Sequence, residues 1–205
     1  MLFRSAVAYH HEALTLHPPG HPDRPTSRNN LANVVLTRYE QSSRMDHDDL
    51  EDVIKYHHEA LTLRPSGHPY HSHSLNNLAN AVFTCYRMSG RMEDLEEAIT
   101  YHHEALTLHP PGHPDHSSSL HNLASIVLAQ YKQSGRMEDL EKVIMYHCEA
   151  LTFCPSDHPD CSHSLINLSI AVYACYENSG MVDDFEESFL LHEQAVNDLA
   201  ASSMC

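Results

Sequence analysis

Tryptophan is absent from this chain of 205 residues, and glycine is rare, with 6 in all. So few glycines, most of them at turn-like positions, leave no glycine-rich loop to cradle a phosphate. Basic residues are also scarce: 12 Lys and Arg stand against 28 Asp and Glu, for a formal net charge of −16. That imbalance repels phosphate backbones and anionic lipid, so no nucleic acid and no membrane is expected as a partner. No apolar run approaches the ~20 residues of a membrane span. The opening MLFRSAVAYHHEAL lacks the layout of a signal peptide. The expected location is cytoplasmic, with the nucleus as the alternative. Apolar–polar alternation is missing too, so no strands are expected. Cys85, Cys148, Cys154, Cys161, Cys175 and Cys205 crowd toward the C-terminal half. Without a secretion signal they are expected as free thiols rather than a disulfide framework.

What the chain does contain is one unit written several times. YHHEALTLHPPGHPD begins at Tyr9, YHHEALTLRPSGHPY at Tyr56, YHHEALTLHPPGHPD again at Tyr101 and YHCEALTFCPSDHPD at Tyr146. A worn copy, LHEQAV, begins at Leu191, so the offsets are 47, 45, 45 and 45. A second block keeps step: RNNLANVVLTRYEQSS at Arg28, LNNLANAVFTCYRMSG at Leu75, LHNLASIVLAQYKQSG at Leu120 and LINLSIAVYACYENSG at Leu165. The two extra residues of the first interval fall around Asp46-His47-Asp48, where they lengthen a loop. A fixed period of this size marks a solenoid.

Each unit reads as two helices. Leu75, Leu78, Ala79, Val82 and Tyr86 form one apolar helical stripe, which Ser89-Gly90 ends. Glu93, Asp94, Glu96 and Glu97 open the next helix and suit the positive end of its dipole. Leu95, Ala98, Ile99, Ala105 and Leu106 form its stripe, and Pro110-Pro111-Gly112 stops it. The expected fold is all-α: a right-handed α-solenoid of antiparallel helix pairs, about 4.5 repeats of 45 residues, forming a single array over 1–205. Residues 1–22 are a partial first unit holding only a second helix, and 23–67, 68–112, 113–157 and 158–205 are helix pairs, the last degenerate. Repeat arrays normally carry polar caps, and neither end has one. Two readings follow: a fragment of a longer array, or a chain that self-associates end to end.

AITYHHEALTLHP, from Ala98 to Pro110, resembles the second helix of a tetratricopeptide repeat, and the L-x-x-L-A of Leu75 to Ala79 resembles its first. The unit is longer than the usual ~34 residues. Its HPD…LNNLA joint resembles the long repeats of kinesin light chains, and still more the fungal tetratricopeptide-like arrays that often precede a CHAT domain. No CHAT-like segment is present in this sequence. The resemblance implies a platform for other proteins, with the first helices lining a concave face.

Matching positions exchange Arg, His and Cys. One series reads His17, Arg64, His109, Cys154; another reads Arg24, His71, His116, Cys161. Single transitions convert arginine CGN codons to His or Cys codons, so a basic set converted by mutational bias accounts for the pattern. His109-x3-His113-x2-His116 and Cys154-x3-His158-x2-Cys161 have ligand types and spacing acceptable for zinc. Yet the His-Pro-Asp triplet recurs at His21, His113 and His158, which favours turn chemistry. No metal and no cofactor is therefore expected. His10, His57, His102 and His147 persist inside the second helices and are expected to pack between helices through a hydrogen bond.

Projected on the first helix, His73, Asn76, Asn77, Asn80 and Arg87 face away from the core. One residue never varies: Asn30, Asn77, Asn122 and Asn167 each stand just before the Leu-Ala or Leu-Ser pair. Such amides either clamp the main chain of an extended peptide, as in kinesin-light-chain-like repeats, or tie each helix to its neighbours. Adjacent positions run from Asn33 through Asn76, Asn80 and His121 to Ile166, Ile170 and Tyr173. That gradient predicts a ligand with a polar and an apolar half, unless the terminal helix around Phe189-Leu190-Leu191 covers the isoleucines.

No lone constellation suggests an enzyme. The expected function is a protein–protein interaction scaffold that holds a peptide or partner helix in the groove, within a larger signalling or adaptor protein. The alternatives are a His/Cys-rich zinc-binding or buffering protein and a degenerate fragment without independent function.

Overall fold

A computed structural model describes residues 2–42, 47–153 and 159–202, and the side chains of residues 7–37, 50–153 and 161–198. The described residues form nine helices and no strand. In order these are α1 (Leu2–Leu16), α2 (Arg24–Ser42), α3 (His47–Thr62), α4 (His71–Ser89), α5 (Met92–Thr107), α6 (His116–Ser134), α7 (Met137–Phe153), α8 (Pro159–Ser179) and α9 (Val182–Ser202). They fall into two compact units, Met1–Ala105 and Leu106–Cys205.

The apolar stripes account for each helix's buried side. On α4, Leu75, Leu78, Ala79, Val82 and Tyr86 are all buried, and on α5 Leu95, Ala98 and Ala105 are fully so. His102 lies on that same α5 stripe and is also fully buried. In the N-terminal unit, α2 packs against α1 and α3, and α3 against α4. Leu31, Ala32, Val35, Val53 and Ala81 form a cluster there, closed from the side by Val7, Leu14, Ile54 and Tyr56. In the C-terminal unit, α6 pairs with α7 and α8 with α9, while α8 also touches both α6 and α7. One such contact, a buried leucine, is worth roughly 2 kcal/mol of transfer free energy.

Two devices set the tight turn inside a helix pair. Gly90 follows α4 at φ 71°, and its N–H donates to Tyr86 O at 2.7 Å. Only glycine takes that left-handed position without strain. An arginine then clasps the first-turn acid of the second helix. Arg91 Nε and Nη2 donate to the two carboxylate oxygens of Asp94 at 3.0 and 2.9 Å, and Ser89 Oγ joins at 3.0 Å. Arg136, Asp139 and Ser134 repeat the clasp before α7. Before α9, Met181 replaces the arginine and Ser179 alone reaches Asp184, at 3.1 Å.

The joint leading into each new first helix is built differently. Arg24 Nη1 donates to His17 O at 2.6 Å, and His71 Nδ1 and His116 Nδ1 meet Arg64 O and His109 O at the same distance. Histidine thus performs the bond that arginine makes in the first joint. The exchange series of the sequence is one structural role filled by two residue types.

Candidate functional site

The first helices carry the residues expected to face a ligand. In the N-terminal unit the amides are already partly engaged. Asn77 Nδ2 donates to Asn29 Oδ1 at 2.9 Å, tying α4 to α2, and Asn29 is buried. Asn76 Oδ1 lies 3.1 Å from His102 Nδ1, so the imidazole N–H of α5 donates to the amide of its own helix pair. Asn30, His73, Asn80 and Arg87 are exposed, and Asn33 is half-buried. The bond to Asn77 comes from position 29 rather than from the invariant Asn30, so consecutive first helices meet in a stagger.

In the C-terminal unit, Asn167 Nδ2 donates to Ser125 Oγ at 3.3 Å, again from one first helix to the preceding one. His121 occupies the position of Asn76, bonds Ser164 Oγ at 2.9 Å and places its ring edge-on to His147 at 5.6 Å. Asn122 and Ile166 are half-buried. Ile170 and Tyr173 are 41% and 42% exposed, so the terminal helix does not cover the apolar end of this helix face.

Instead, that end opens into a cleft of about 300 Å³ between α8 and α9. Ser169, Ile170 and Tyr173 line it from α8, and Phe185, Ser188, Phe189 and His192 from α9. Ile170 and Tyr173 were expected here from the sequence, and Phe189 only as part of a covering helix, so Phe185, Ser188 and His192 of α9 were missed. A signal for them existed in the period of the repeat. Stepping back 45 residues from the lining leads to Ala124, Ser125, Leu128, Leu140, Val143, Ile144 and His147. Of these, Ala124, Leu128, Leu140, Val143 and His147 are buried, where α8 lies against α6 and α7. The cleft is therefore the seat that a following first helix takes one repeat earlier.

The buried histidines behave as a set. His57, His102 and His147 have no exposed surface, and neither ring nitrogen of His57 or His147 has a partner among the described residues. Burial, helped by the charges of His58 and His73, pushes His57 down to about 4. Burial beside His103 does the same for His102, to about 4, and burial beside His121 takes His147 to about 3. They are neutral packing residues. The interhelical hydrogen bond expected of all of them is present at His102 alone among these three.

The zinc-spacing residues separate in space. His109 and His113 remain together, but His116 turns away: Nδ1 meets His109 O, and Nε2 lies 3.1 Å from Glu149 Oε1. The carboxylate of Asp115 completes the cluster in its place. Cys161 is disulfide-bonded, which corrects the free thiol expected there, whereas Cys85, Cys148 and Cys175 are free. Cys154 and His158 lie outside the described residues. No described helix is long and apolar enough to cross a membrane.

Residues 72–115 match a tetratricopeptide repeat model. No curated protein sequence matches the chain. Among solved structures, a Podosopora anserina protein of kinesin-light-chain type with nearly identical TPR-like repeats is 18% identical, with a TM-score of 0.66 over 98% of this chain and 88% of that one. BtubC (BKLC) from P. vanneervenii is 18% identical, with a TM-score of 0.67 over 98% of this chain and 74% of that one. MamA is 13% identical, with a TM-score of 0.59 over 95% of this chain and 85% of that one. At these identities the likeness is one of fold. Residues 72–115 thus resemble a tetratricopeptide repeat, and the fold of the chain is an all-α solenoid of paired helices like that of these repeat proteins.

Proposed function

We propose that this protein is a non-enzymatic interaction scaffold whose C-terminal unit seats one amphipathic helix of a partner protein in the cleft between α8 and α9. The exposed apolar lining of that cleft is the observation that carries the reading. The chain itself supplies the template for the occupant. In the preceding repeat the same seat is taken by α8, a helix whose Leu165, Leu168, Ala171 and Val172 are all buried. A partner with apolar residues at i, i+3, i+6 and i+7 on one helical face presents the same groups. Asp183, Glu186, Glu187 and Glu193 on α9 favour basic residues at the flanks of that helix. The groove amides of the N-terminal unit, around Asn30, Asn33, Asn77 and Asn80, offer a second and more polar contact face. A cytoplasmic setting fits this role.

The test uses fluorescence polarisation and a labelled synthetic helix with the sequence of α6, His116–Ser134, which carries Leu120, Leu123, Ile126 and Val127 at the spacing of the α8 template. Saturable binding that is lost in Phe189→Asp and Ile170→Asp, with the helical content of both variants intact, supports the reading. Absence of binding, or equal binding by folded variants, overturns it.

A further inference from the structure

The loops that lead from a second helix to the next first helix carry His-x3-His-x-Asp twice, at His17, His21 and Asp23 and again at His109, His113 and Asp115. In each loop, one nitrogen or oxygen from each of the three side chains lies within 4.8 Å of the other two. The first histidine is held firmly. His17 Nδ1 meets Ser27 Oγ and His109 Nδ1 meets Ser119 Oγ, both at 2.7 Å. That bond fixes the ring and leaves Nε2 for the loop, where His109 Nε2 lies 4.0 Å from Asp115 Oδ2. The second histidine stacks on the first, with centroids 4.4 Å apart in both loops. Its Nδ1 accepts the backbone N–H of the aspartate at 3.1 Å and lies 3.9 Å from that aspartate's carboxylate, a bond the ring gives up when it turns to offer a lone pair to a metal.

The loop between α3 and α4 supplies an internal control. Its residues are Arg64, His68 and Tyr70. Arg64 Nη1 donates to Ser74 Oγ at 3.0 Å, the bond that histidine makes in the other two loops, and its guanidinium lies over the Tyr70 ring at 5.4 Å. Tyrosine thus accompanies arginine, while aspartate accompanies histidine in two loops and, in the sequence of the fourth, Cys154. A histidine serving only to bind serine would be indifferent to an aspartate; one that shares a cation with it would not.

We propose that these two loops bind divalent transition-metal ions of the zinc type, one through His17, His21 and Asp23 and one through His109, His113 and Asp115. Two imidazoles and a carboxylate suit Zn(II) or Co(II) and leave at least one coordination position for water. Ligand atoms around such an ion stand about 3.3 Å apart, so each loop closes by about 1 Å on binding. The exposed Asp115 and half-buried His113 make that movement, with His113 turning out of its stack, while buried His109 stays. Ser27 and Ser119 orient the first ligand of each site from behind.

Co(II) titration of the full chain after chelator treatment, read by visible absorption, tests this. His109→Arg with Asp115→Tyr imports the pairing already present at Arg64 and Tyr70, so the loop keeps its fold. The wild-type chain gives saturable absorption, this variant loses one equivalent, and adding His17→Arg with Asp23→Tyr removes a second. Asp23→Asn and Asp115→Asn, both at exposed positions, weaken binding about tenfold or more and keep the test decisive if a swapped loop unfolds. No saturable absorption in the wild-type chain overturns the proposal, as does an unchanged number of equivalents in the folded variants.

Discussion

Asn77 and Asn29 share a hydrogen bond of 2.9 Å that joins α4 to α2. The bond runs from a residue expected to grip a peptide to a buried amide that only its own fold can reach. One donor of the Asn77 amide is thereby committed to the fold.

Asn77→Ala therefore leaves the buried Asn29 carbonyl without its donor. The expected loss is about 1–3 kcal/mol of stability, seen as a lower urea midpoint with an unchanged slope. A folded Asn77→Ala, Asn122→Ala double variant that captures partners as the wild type does would remove the amides from the binding face and leave them their structural role.

The buried histidines make stability depend on acid. Their folded values lie near 4, 4 and 3, below an ordinary 6.5, so between those limits the unfolded chain binds more protons than the folded one. Stability is full above about pH 6.5 and falls as the pH drops toward 4. From pH 7 to pH 5 each ring costs about 2 kcal/mol. Urea unfolding at the two pH values measures the sum. Replacing His147, which has no hydrogen-bond partner among the described residues, with Leu shrinks the difference by one ring's share.

Gly135 follows α6 at φ 67° and donates its N–H to Tyr131 O at 2.8 Å. Nothing lies within 4 Å of an added Cβ, so Gly135→Ala reports backbone strain alone. The expected cost is about 1 kcal/mol, read as a lower melting temperature.

Two apolar residues of the C-terminal unit separate folding from binding. Leu123 is fully buried, and Leu123→Ala costs about 2–5 kcal/mol. Ile170 is 41% exposed in the cleft, and Ile170→Ala changes stability by under about 0.5 kcal/mol. The same Ile170→Ala weakens the α6 peptide about tenfold in the polarisation assay.

Much of this molecule was legible before any coordinates. The period of 45 and the stripe from Leu75 to Tyr86 determine paired helices, because a module of that size has an apolar side it cannot shelter alone. The Arg24, His71, His116 series was visible as an exchange, and the shared bond to a helix-end carbonyl explains why the exchange is tolerated. Three features needed the tertiary structure. The partner of Asn77 sits 48 residues away on another helix, and no local spacing names it. Asp115 rather than His116 joins His109 and His113, because helix α6 begins at His116 and turns that ring onto the preceding carbonyl. Phe185 and Phe189 look like ordinary core residues of a second helix, matching the buried Leu140 and the half-buried Ile144. Only the packing shows that the side covered by α8 in one repeat is bare on α9, since burial belongs to the neighbour a residue meets and not to its own letter.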